Sequence, residues 1–132
     1  MQNFSNNGKS TFGLDANVVA LLCYVANLCC YLGLILSIIT IIQDKTNKLA
    51  RFHAFQSILL SAAGIVIGIV INVLSGIAIA ADSTALSMLI TLIAFVFAIG
   101  MLIAVIYTAI QAYQGKVFKL PVIGDMADKW SN

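Results

Sequence analysis

Charged side chains are scarce in this sequence, at 9% of 132 residues, where about a quarter is usual for a soluble domain. A soluble domain of this size needs a polar shell, and so few charges cannot build one. The charges also avoid three long stretches: Ala16 to Ile42 has none over 27 positions, Ala54 to Ala81 none over 28, and Ser83 to Gln114 none over 32. With no Asp, Glu, Lys or Arg inside those stretches, a self-contained proton relay has nothing to run on. Groups that carry chemistry are equally sparse. Cys23, Cys29 and Cys30 all fall in the first stretch without a CxxC spacing, and the single histidine, His53, is distant from them. That excludes the usual metal and redox patterns. There is no Ser–His–acid set and no carboxylate pair, and Gly115 to Gly124 has neither the spacing nor the flanking strand of a nucleotide site. The sequence therefore reads as a non-enzyme that uses no cofactor and no metal.

What is abundant is hydrophobicity, at 61% of residues. Each uncharged stretch exceeds the roughly 20 apolar residues that cross a hydrocarbon core of about 30 Å. Only helices and closed barrels satisfy their backbone groups in lipid, and continuous apolar runs are not the alternating pattern of a barrel. The expectation is an all-α membrane protein with three transmembrane helices and a short C-terminal interfacial segment. Its parts are a polar tail over 1–15, a three-helix domain over 16–115 with spans at about 16–42, 54–81 and 84–113, and a basic, amphipathic tail over 116–132. The first run is too long for a signal peptide, and only Lys9 precedes it, so it reads as a retained helix.

All seven Lys and Arg residues lie outside the runs. Lys45, Lys48 and Arg51 fall in the first connection, and Lys116, Lys119 and Lys129 follow the third run; only Lys9 falls on the other side of a three-span topology. Basic loops stay cytoplasmic, which places the N-terminus outside and the C-terminus inside, in the cell (inner) membrane. Asp82 and Ser83 stand where they can cap the last helix. The net charge of +2 reflects this topology and is weak support for binding nucleic acid or anionic lipid, so no nucleic acid is expected as a partner.

Each run also carries small or weakly polar residues at helical spacing. The first has Ala26, Cys30, Gly33, Ser37 and Thr40; the second has Ser57, Ser61, Gly64, Gly68, Asn72 and Ser75; the third has Ser87, Thr91, Ala94, Ala98, Thr108 and Ala112. Small faces let backbones approach in lipid. Gly33 and the Gly64/Gly68 pair are therefore expected at close helix contacts, and Asn27 and Asn72 are expected to bond across the bundle. The partners implied are the lipid bilayer and other membrane helices, from a second copy or another membrane protein. His53 and Gln56 stand one turn apart, at a depth matching Gln111. The expectation is that one of them bonds Gln111 or the backbone of Lys116–Gly124 and anchors the C-terminal tail.

Two segments carry a family resemblance. Arg51-Phe52-His53-Ala54-Phe55-Gln56-Ser57 resembles the RFHAxQS signature of a bacterial and archaeal family described as Tic-twenty-like. Ala112-Tyr113-Gln114-Gly115-Lys116, followed by Phe118 to Gly124 with Pro121 inside it, resembles that family's GKxFKLPxIG pattern, and Asn17 to Tyr24 is similar to its first helix. Relatives of that family include the chloroplast inner-envelope import component and the magnetosome proteins MamF and MmsF. The resemblance implies a small helical membrane protein that works in translocation or in organising a membrane compartment. Two readings follow: a scaffold or accessory subunit acting through helix association, or an oligomeric channel or protein-translocation component.

Overall fold

The computed structural model describes residues 2–3, 8, 13–29, 32–45 and 47–131. Its elements run β1 (Gln2–Asn3), α1 (Ala16–Leu28), α2 (Leu32–Gln43), α3 (Lys48–Ala80), α4 (Thr84–Tyr113), β2 (Lys116–Val117) and α5 (Ile123–Ser131). The chain divides into two compact units, Met1–Ser61 with Val105–Asn132, and Ala62–Ala104. Lys9 and Cys30, which figured in the charge count and the small-residue pattern, lie outside the described residues.

Two helices among the described residues, α3 and α4, are long and apolar enough to cross a membrane, not three. The run over 16–42 folds as α1 and α2, of 13 and 12 residues. At a rise of 1.5 Å per residue each is about 20 Å or less, short of a hydrocarbon core of roughly 30 Å. No Gly or Pro marks the break; α1 closes with the Cys29 N–H bonded to Ala26 O, and the Leu32 N–H bonds to Cys29 O. What forces the reversal is packing. Gly33 lies so close to α1 that a Cβ there would stand 2.4 Å from the Cys23 carbonyl oxygen and 2.5 Å from the Asn27 nitrogen. Only glycine lets α2 lie back along α1, and Gly33, Ser37 and Thr40 form its buried face.

The α3 helix begins at Lys48 rather than at Ala54, because the polar connection builds its start. Asn47 Oδ1 accepts from the Ala50 N–H at 3.4 Å, and Asp44 Oδ1 accepts from the Asn47 N–H at 3.3 Å. Side-chain oxygens at that position satisfy donors that a helix start leaves open. The α4 helix runs Thr84–Tyr113, and Ser83 Oγ accepts from the Leu86 N–H as its cap.

In the first unit, Ala16 of α1, Leu49 and Phe52 of α3, Val117 of β2 and Ala127 of α5 form one apolar cluster, with Phe55 and Leu59 against it. The sheet pairs Gln2 with Val117 and Asn3 with Lys116, antiparallel. The first residues and the segment after α4 therefore meet. In place of the three expected spans, two helices have the length and hydropathy to cross a membrane.

The second unit is a helical hairpin over residues 62–104. Asp82 takes a left-handed conformation at its turn (φ 50°), and the Ser83 N–H bonds back to Ala78 O, closing the end of α3. Ala78 and Ile90 are buried, while most aliphatic side chains of the unit, such as Ile69 and Leu92, are exposed, as in a hairpin solvated by lipid. Gly64 faces the Met101 methyl, 3.4 Å from where its Cβ would stand, but Gly68 meets nothing within 4 Å. The GxxxG pair is thus half inside the chain and half open.

Candidate functional site

The polar residues of the first unit converge on α3. His53, Gln56 and Ser57 are fully buried there, and so is Tyr24 of α1. The Tyr24 Oη lies 3.0 Å from His53 Nδ1, and His53 Nε2 lies 3.1 Å from the Lys116 carbonyl oxygen. A carbonyl can only accept, so Nε2 carries the proton and Nδ1 accepts from the Tyr24 hydroxyl. The hydroxyl in turn accepts from the Gln56 amide at 3.0 Å. The second Gln56 N–H donates to Phe118 O at 3.1 Å, and the Gln56 Oε1 accepts from the Leu120 N–H at 3.3 Å. Every polar atom of His53 and Gln56 is engaged, and three of their bonds hold the backbone of Lys116–Leu120. The ring of Phe52 meets His53 edge-on at 5.1 Å, and Tyr24 does so at 5.7 Å.

The expected anchor is therefore present through the backbone, and Gln111 has no part in it. Gln111 is buried, and its Oε1 has no hydrogen-bond partner among the described residues. Similar depth was the reason to pair it with His53, and depth alone does not fix which face of α4 it occupies. Tyr24, the residue linking His53 to Gln56, was not singled out by sequence. The signal available was a phenol in an apolar run, which needs a partner once buried.

The other signature residues have backbone reasons. Gly115 turns the chain in the left-handed region (φ 72°), which glycine adopts without cost. A Cβ on Gly124 would stand 2.5 Å from Lys119 Cα, so glycine lets α5 close on the preceding strand exit. Pro121 sits in that turn beside Val122, whose φ of 65° is strained for a β-branched residue. Lys119 reaches Asp128 at 2.8 Å; that hydrogen bond, with the charges of Asp128 and Asp125, raises its ammonium above the usual range. Arg51 donates to Ile41 O at 3.0 Å and stacks over Phe55, whose ring meets Trp130 of α5. The two signatures thus interlock at one end of the unit.

A second polar group lies farther along α1. Asn27 donates to Ser61 Oγ and, at 3.4 Å, to Ser57 Oγ, and Ser57 donates to the Cys23 carbonyl at 2.8 Å. These bonds place Asn27 of α1 against α3. The Cys23 thiol lies beside Ser37 and Thr40 of α2. Asn72 does not bond across the bundle: it is exposed, and its amide donates to Gly68 O of its own helix at 2.7 Å. Among the described residues no group of three or more His, Cys, Asp or Glu could hold a metal ion. The open groove of about 520 Å³ along α4 is lined by Thr84, Ser87, Met88, Thr91, Leu92 and Phe95, almost wholly apolar.

The chain resembles two proteins of Methanocaldococcus jannaschii, both described as UPF0132 membrane proteins. One is 37% identical over 124 residues, covering 94% of this chain and 96% of the relative. The other is 30% identical over 118 residues, covering 89% of this chain and 71% of the relative. No solved structure matches. The model of the magnetosome magnetite crystal formation proteins matches residues 15–127, from the cap of α1 to the buried face of α5. That stretch contains the whole His53–Gln56 clasp with both long apolar helices, and by it the chain belongs to the magnetosome magnetite crystal formation protein family.

Proposed function

We propose that this membrane protein is a non-enzymatic scaffold that associates with a second copy of itself through the outward face of α3. The observation that carries this reading is Asn72. It is exposed on a helix that crosses the membrane, with Gly68 below and Gly76 above it, and neither glycine meets anything within 4 Å. In hydrocarbon the remaining polar atoms of Asn72 have no water to bond. A second copy packed along the Gly68–Asn72–Gly76 line would bring backbones close and let the two amides bond each other, an interaction of about 0.6–2 kcal/mol. The test is in-membrane cross-linking of the full chain beside Asn72→Leu and Gly68→Ile. The dimer band falls in both variants, with the first unit still folded; unchanged dimer in both would refute the reading.

The Tic-twenty-like resemblance suggests the second reading, an oligomeric translocation component. It would be favoured by a polar groove between helices. The groove described above is apolar, and the polar atoms of His53 and Gln56 are closed on partners inside the first unit, which favours the scaffold. The basic residues support a cytoplasmic placement for both chain ends: Lys45, Lys48 and Arg51 sit at one connection and Lys116, Lys119 and Lys129 after α4, with only Asp82 at the turn between the spans.

A further inference from the structure

We infer that α1 and α2 occupy one leaflet only, so that each copy expands that leaflet and the protein concentrates where it is convex. The first step is length. The two helices, at about 20 Å and 18 Å by helical rise, reach roughly the middle of a 30 Å hydrocarbon core.

The second step is register along α3. Ala16 clusters with Leu49 and Phe52, Tyr24 bonds His53 and Gln56, and Asn27 bonds Ser57 and Ser61. The α1 helix thus runs beside α3 in the same direction, from its first turn to Ser61. That is about 20 Å of a helix that continues to Ala80. Residues 62–104 form a two-helix hairpin.

The third step is polarity. The open end of the α1–α2 hairpin carries Asp15, Asp44 and Lys45, while the described residues at its closed end, Leu28, Cys29 and Leu32, are apolar and exposed. The open end belongs in the headgroups and the closed end in hydrocarbon. At that closed end the Cys29 N–H bonds to Ala26 O and the Leu32 N–H to Cys29 O, the local pairing that lipid requires of backbone groups. The outer face, with Val25, Ile35, Ile38 and Ile42 exposed, matches acyl chains. Trp130 and Met126 of α5 are also exposed, and they belong to the unit that holds the hairpin's open end. Such a short amphipathic helix wedges at headgroup level. Two helices of about 10 Å diameter are therefore added to one leaflet with no equivalent addition to the other.

The experiment reconstitutes the full chain, with a fluorophore at its C-terminus, into phosphatidylcholine–phosphatidylglycerol vesicles spanning a tenfold range of diameter. Single-vesicle imaging reads protein per membrane area and the fraction of label reached by an impermeant quencher. As diameter falls, copies with the C-terminus outward rise severalfold in density, and those facing inward decline. Density and orientation independent of diameter would overturn the inference. A variant that trims exposed side chains only, Ile35→Ala with Ile38→Ala and Ile42→Ala, flattens the dependence; an unchanged slope there would equally overturn the assignment to α1 and α2. Asn72→Leu keeps the slope, which separates this effect from self-association, and a slope lost in that variant would count against it.

Discussion

Gly33 has no room for a side chain, and Gly68 has nothing but room. A Cβ at Gly33 would strike backbone atoms of Cys23 and Asn27, which cannot move without opening the α1–α2 hairpin. Gly33→Ala is therefore expected to lower stability by about 1–3 kcal/mol, the usual range for overpacking. Gly68→Ala should leave the unfolding midpoint of the detergent-solubilised monomer unchanged or raised, and the two midpoints measured side by side under dissociating conditions check the contrast. The Tyr24 hydroxyl is the other residue-scale test. Removing it in Tyr24→Phe leaves the His53 Nδ1 and one Gln56 N–H without partners in a buried site, at about 1–3 kcal/mol. The loss is coupled: Tyr24→Phe with Gln56→Leu should deviate from additivity by about 0.5 kcal/mol or more. His53→Ala with Gln111→Ala should be additive, because these side chains share no bond.

At the scale of elements, α5 can be followed by the one tryptophan in the chain. Trp130 meets Phe55 at 6.3 Å between ring centroids, and that contact depends on the close approach of Gly124 to Lys119. Gly124→Ala should push α5 off, loosen Trp130 and shift its emission, while Lys129→Ala should leave the spectrum in place. An unchanged spectrum in Gly124→Ala would count against the packing. The two long helices were legible in the sequence as uncharged apolar runs, and the short C-terminal one because Pro121 sets off α5 from the strand before it. The break between α1 and α2 was not legible. No Gly, Pro or charge lies at Cys29, and the only sign is Gly33, which serves equally well inside a continuous helix. The clasp was half legible. His53 and Gln56 stand out as polar residues beside apolar runs, but the carbonyls they bind belong to any sequence, and Tyr24 looks like one more aromatic residue.

For the whole molecule, the number of crossings decides where the ends lie. Two spans predict that single cysteines placed at Ser5 and at Asn132, in a background lacking Cys23, Cys29 and Cys30, react with an impermeant maleimide from the same side. Labelling from opposite sides would restore three crossings. The clasp also has a consequence for biosynthesis. His53 and Gln56 close on residues 116–120, and β1 pairs with β2 across more than a hundred positions of chain. A ribosome that has released the chain as far as Tyr113 has exposed every helix but α5, yet none of those partners. Contacts so distant in sequence form late, since the loop must close before they contribute. Until the last residues emerge, the buried ring of His53 and the amide of Gln56 lack their carbonyl acceptors, so chains truncated after α4 should be the ones a membrane quality-control protease removes.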